Sequence, residues 1–160
     1  MELWELIVRE QVRETFTRYS TAGDGGRLDD LVAQFAEDAV MEVPPRGSVT
    51  GRAAILEMLK SSATRTRPPV AFEGQTPILR HFTTNIHFRL VTPQRVETTA
   101  YFCAMTAVGP DHWGRYFDVL APHGDRWLFA SRLAKAEGWA PDGWYDGNRK
   151  HHLQRMAAGG

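Results

Sequence analysis

Apolar residues recur every four positions at the start of the chain: Trp4, Val8, Val12 and Phe16, with Leu3, Ile7 and Tyr19 widening the stripe. That spacing predicts an amphipathic helix from Leu3 to Tyr19. Gly23, Gly25 and Gly26 end it, with Asp24 among them. A second helix is expected over about Leu28 to Ala36, burying Leu31, Val32 and Phe35. Val40 to Val43 reads as a short strand stopped by Pro44-Pro45, and Gly51 leads into a third helix carrying Ile55, Leu56, Met58 and Leu59. Arg65 to Pro77, with Pro68, Pro69, Gly74 and Pro77, reads as loop.

Beyond it the pattern changes to strands: His81 to Val91, Arg95 to Val108, Trp113 to Ala121 and Arg126 to Lys135. Turns are expected at Gly109-Pro110-Asp111 and His123-Gly124-Asp125. Helices followed by a meander of long strands predict an α+β fold, a curved antiparallel sheet wrapped around the N-terminal helices. A cavity between the concave face and the first helix is then the natural small-molecule site. Residues 1–135 form this domain, and 136–160 a C-terminal tail with Trp139, Trp144 and Tyr145, either a short helix or disordered. The tail is expected to serve as a pocket lid or a dimer contact. Alternation along the first long strand puts His81, Thr83, Asn85, His87 and Arg89 on one face, toward the cavity. Phe82, Thr84, Ile86, Phe88 and Leu90 then point outward, inviting a second copy of the chain, so a homodimer through the sheet is expected.

Composition narrows the partners. The 160 residues are 42% hydrophobic, and 19 basic side chains balance 19 acidic ones. Such neutrality gives no electrostatic footprint for nucleic acid or an anionic membrane. No apolar run reaches the roughly 20 residues that span a bilayer, and no signal-peptide pattern opens the chain. Cys103 is the single cysteine. A cytoplasmic, reducing location is therefore expected. His81 and His87 would stand about 20 Å apart along an extended strand. No Cys/His cluster has zinc spacing and no glycine loop suggests a phosphate cradle, so neither metal nor cofactor is expected.

The order of short motifs adds a family likeness. Arg18-Tyr19, Asp24, Arg27-Leu28-Asp29-Asp30-Leu31 and Phe35-Ala36-Glu37-Asp38-Ala39-Val40 come first. Thr50-Gly51-Arg52-Ala53-Ala54-Ile55, His81-Phe82-Thr83-Thr84-Asn85, Gly114-Arg115-Tyr116-Phe117-Asp118, Arg126-Trp127-Leu128-Phe129 and Arg132 follow. Together they resemble the SnoaL-like branch of the nuclear transport factor 2-like superfamily, over roughly residues 5 to 135. The resemblance implies a cone-shaped, cystatin-like α+β barrel. It also implies a choice among dehydratases, dehydrochlorinases, isomerases, polyketide-type cyclases and non-catalytic subunits, since fold alone does not decide activity.

His81 is the first candidate, because imidazole exchanges a proton near neutrality. On residue type alone it reads more readily as a structural histidine bonded to backbone, and the resemblance brings the two readings near even. Asp24, by itself a turn carboxylate, takes from the resemblance the role of accepting the imidazole N–H. Tyr19, by itself a core aromatic, takes that of a hydrogen-bond donor to developing oxyanion charge. Asn85, Phe102, Trp113, Tyr116 and Asp118 are candidates for substrate binding, with Met105 and Trp139 as further lining. Asp118 also reads as a structural ion-pair partner of Arg132 on the neighbouring strand. Two relatives' mechanisms are not matched. Val43 stands before Pro44 where ketosteroid isomerase has its basic aspartate, and no histidine lies between His87 and His112 to give the second base of scytalone dehydratase. The expectation is a cofactor-independent, dehydratase-like lyase for a small hydrophobic cyclic molecule. An isomerase, a cyclase or a non-catalytic ligand-binding or subunit-type scaffold are the alternatives.

Overall fold

A computed structural model describes residues 1–63, 68–70, 72–74 and 77–158, so the expected loop at Arg65 to Pro77 lies partly outside the described residues. The chain runs α1 (Leu3–Asp24), α2 (Leu28–Val32), β1 (Phe35–Glu42), β2 (Ser48–Thr50), α3 (Arg52–Ala63), β3 (Leu79–Val91), β4 (Val96–Thr106), β5 (Gly109–His123), β6 (Arg126–Trp139) and α4 (Trp144–Ala158). The strands form one six-stranded sheet in the order β2-β1-β6-β5-β4-β3. This is the expected α+β fold with a curved sheet over the helices. The pairing is antiparallel except between β1 and β6, which run parallel.

The amphipathic stripe of α1 buries Val8, Val12, Phe16 and Tyr19 against the inner face of the sheet. The helix runs past Tyr19 because Gly23 does not break it. Any side chain there would crowd Leu31, so Gly23 is where α2 packs close. The stop falls at Gly25-Gly26, where Gly26 takes φ +69. The second helix is shorter than its pattern suggests. Phe35 leaves it to pair with Phe129 of β6, and the Phe129 amide donates to the Gln34 carbonyl. Long-range pairing overrides local periodicity here. Ser48 to Thr50, expected as loop, closes a hairpin back onto β1.

β4 alternates cleanly, and so does β5 from His112 onward. Val96, Thr98, Ala100, Phe102 and Ala104 face the core from β4, and Gly114, Tyr116, Asp118 and Leu120 from β5. The outer face leaves Phe82 56%, Tyr101 52% and Trp113 44% exposed. β3 departs from simple alternation. Its register with β4 shifts between Thr84 and His87, and Asn85 sits there at φ +52. This bulge reverses which residues face inward. Ile86 and Phe88, expected outside, pack against the core, while Asn85, His87 and Arg89 are exposed.

At the centre, Arg132 of β6 forms a two-bond ion pair with Asp118 of β5 (2.7 and 2.9 Å), both side chains fully buried. Its guanidinium lies over the rings of Phe16, Tyr19, Tyr116 and Phe129 at 4.0–4.8 Å. Asp118→Ala should cost about 3–5 kcal/mol in urea unfolding, because it strands a buried cation. Replacing both partners together (Asp118→Leu with Arg132→Met) should cost less than Asp118→Ala alone. A single-variant loss below about 1 kcal/mol would show that the rings alone satisfy the cation.

Candidate active site

Asp24 is the last residue of α1 and His81 lies near the start of β3. Asp24 Oδ1 meets His81 Nδ1 at 2.7 Å, and the His81 backbone N–H donates to the same carboxylate at 3.0 and 3.2 Å. The Arg80 guanidinium donates to the Asp24 backbone carbonyl at 3.2 Å. Helix end and strand start are thus fastened together. An accepting carboxylate at Nδ1 places the ring proton there and leaves the Nε2 lone pair for a substrate. The pair is partly covered, at 22% and 16% side-chain exposure.

A second pair of the same kind stands nearby. His112 Nδ1 meets Asp111 Oδ2 at 2.8 Å, and both are more deeply buried, at 11% and 3%. Neighbours on a regular strand point to opposite faces. Here the register slips between Ala104 and Met105, so Pro110 faces Met105 and His112 faces Ala104. Asp111 is the extra residue, and both side chains turn inward. The turn expected at Gly109-Pro110-Asp111 lies instead at Ala107-Val108, with Gly109 at φ +119 opening β5. Asp111 also accepts the backbone N–H groups of Trp144 (2.7 Å) and Tyr145 (3.1 Å), holding the start of α4. His112 stacks on Tyr145 at 4.5 Å. The sequence pattern did not single out this histidine, because it follows residues of turn composition.

Both histidines line one cavity of about 350 Å³. Tyr19, Phe102 and Tyr116 line it too, together with apolar Leu31, Met41 and Leu59. Phe102 and Tyr116 stack at 4.6 Å. Three expected substrate contacts are not among the lining residues. Asn85 is exposed at the β3 bulge, Trp113 lies over Gly138 on the outer face, and Asp118 is spent on Arg132. Met105 and Trp139 are likewise not part of the lining. Conversely α4, beyond the expected domain, contributes Trp144, Tyr145, Asn148, Arg149 and His152. Among the described residues no His, Cys, Asp or Glu cluster could hold a metal, and no helix is long and apolar enough to cross a membrane.

The electrostatics separate the groups. Burial pushes the Tyr19 and Tyr116 phenols up, so both stay protonated as donors. Burial also pushes His112 below the ordinary imidazole value, against the pull of Asp111 and with a smaller push from His81. Burial works to raise Asp111 as well, but the His112 ring and the Tyr145 and Trp144 amides outweigh it and hold the carboxyl below its usual range.

The model of the SnoaL-like domain matches residues 4–133. No curated protein matches the sequence. Among solved structures the chain is similar to a putative scytalone dehydratase from Novosphingobium aromaticivorans DSM 12444 (TM-score 0.71, 20% identity, 84% of this chain and 87% of that one). It is similar to a cystatin-like-fold protein of unknown function from Nostoc punctiforme (0.69, 13%, 83% and 93%). It is also similar to LinA (0.69, 15%, 85% and 90%). At these identities the likeness is one of fold.

The depressed His112 has a consequence for stability. The unfolded chain takes up this proton first as pH falls below about 6.5, so stability drops with pH in that window and is fully present above it. His112→Gln should therefore flatten the loss of stability between pH 7 and pH 5 in denaturant melts. Asp111, low on folding, acts only below the carboxylate range and does not confound the comparison. An unchanged slope would show that burial in the folded state does not lower the proton affinity of His112.

Proposed function

Because the chain belongs to the SnoaL-like domain family, we propose that it is a cofactor-independent lyase of dehydratase type acting on a small, apolar, cyclic β-hydroxy ketone. One observation carries this reading: two carboxylate-backed imidazoles share a largely apolar cavity of about 350 Å³. That size falls within the usual range for small-molecule pockets. The putative scytalone dehydratase among the structural neighbours supports the same class.

In the proposed reaction His81 Nε2 takes the proton from the carbon next to the carbonyl. Asp24 holds the ring through Nδ1 and stabilises the imidazolium that forms. The Tyr19 hydroxyl donates to the carbonyl oxygen as it gains enolate charge. His112, neutral with Nδ1–H on Asp111, accepts the substrate hydroxyl's hydrogen bond at Nε2 and places the leaving oxygen. The proton on His81 then passes to that oxygen, the C–O bond breaks, and water and the enone leave with both histidines restored. Apolar walls exclude bulk water and strengthen each of these interactions. Isomerase or cyclase chemistry begins with the same abstraction and differs in the product, whereas a binding-only scaffold needs no such dyad.

A direct assay uses 3-hydroxy-1-tetralone, whose loss of water and tautomerisation give the chromophore 1-naphthol. His81→Gln should lower kcat by about 10²–10⁴-fold and Tyr19→Phe by about 10²-fold, with circular dichroism unchanged. Full turnover in folded His81→Gln would end the proposal. Deuterium uptake without loss of water would point to the isomerase or cyclase alternative.

A further inference from the structure

The cavity also has a cationic margin that the proposed chemistry does not use. Arg46, after the Pro44-Pro45 pair, lines it together with Tyr145, Arg149 and His152 of α4. The α4 residues are spaced four and three apart, so one face of the helix presents all three. Tyr145 joins this margin to the dyads. Its ring stacks on His112, while its phenol, pushed up by burial, is drawn back by the charges of Arg149 and Arg46.

Arg149 lies over the Trp139 ring at 4.6 Å. It reaches Asp146 Oδ1 only at 3.7 Å, and Lys150 takes Asp146 Oδ2 at 2.7 Å. Arg149 Nε and His152 Nε2 are both buried without a hydrogen-bond partner. Buried polar nitrogens are normally paired, and here two stand unpaired on residues lining one cavity. The other carboxylates beside α4 are committed too, Asp111 to His112 and the helix amides and Asp142 to Lys150.

We infer that this margin is an anion subsite, and that the substrate is an apolar ring bearing a carboxylate. Arg149 Nε–H and His152 Nε2–H donate to the carboxylate oxygens, with the Tyr145 hydroxyl alongside, while Arg46, held by the Met58 carbonyl and the Ser61 hydroxyl, adds positive charge at the margin. The ring then lies against Phe102 and Tyr116, between the carboxylate and the dyads. The inference rests on the reading of this cavity as the substrate site, and it converts a general hydrophobic preference into a specific class.

Calorimetric titration with 2-naphthoate and its neutral isostere 2-naphthamide tests it, in His81→Gln protein so that binding is read apart from turnover. The carboxylate should bind about tenfold tighter or more. Arg149→Gln and His152→Gln should each reduce that advantage, and the double variant should erase it while naphthamide affinity holds within about twofold. Arg149→Lys should keep part of it. Should Arg149→Gln lose the α4 fold with its Trp139 stack, His152→Gln decides alone. Equal affinities, no measurable naphthoate binding, or an advantage surviving the double variant would overturn the inference. Failure of the lyase reading looks different: turnover indifferent to His81, with the carboxylate preference intact.

Discussion

A guanidinium removed from water organises the interior. Arg132 is fully buried, and desolvating a cation is costly unless a counter-charge and hydrogen bonds replace the water. Asp118 supplies both on the adjacent strand, and the faces of four aromatic rings cover the rest. The rings come from α1, β5 and β6, so the cation fixes the helix against the sheet. Two of them, Tyr19 and Tyr116, also line the cavity. The same low-dielectric surroundings that make the pair expensive keep those phenols protonated. Stability and donor chemistry therefore share one cause.

Above this floor, irregularities in the sheet decide what faces the site. The β3 bulge at Asn85 ends the inward polar row after Thr83 and turns Ile86 and Phe88 toward α1. Arg9 and Arg13 of α1 cover the Phe88 ring. The β5 bulge at Asp111 brings two consecutive residues to one face, where their side chains bond. Regular alternation would have sent one of that pair outside. A slip of one residue changes the face of everything beyond it, so each bulge acts as a switch on site composition.

That is why the sequence was readable in some places and not in others. The α1 stripe, the long strands and the Asp118–Arg132 pair follow period and charge, which are local properties of the chain. The Asp24–His81 contact was legible only through a family likeness, since 57 residues separate the partners. Asp111-His112 was hidden because Gly109-Pro110-Asp111 has turn composition. A tighter turn at Ala107-Val108, with Gly109 at positive φ, makes those residues strand instead. Asn85 and Trp113 were misplaced for related reasons: a bulge exposed one, and strand parity put the other outside. The Phe35 pairing with β6 is long-range and left no local sign.

The two dyads are chemically alike and physically unlike, and in the proposed reaction that difference divides the labour. His81 sits at the partly open junction of α1 and β3, while His112 is buried deeper and held neutral by its surroundings. Asp111 adds a structural constraint to this asymmetry. Its carboxylate holds both the His112 ring and the first amides of α4, so the helix cannot leave without unpairing the acid that orients the histidine. The cavity wall carrying Tyr145, Arg149 and His152 is thereby coupled to the deeper dyad through a single side chain.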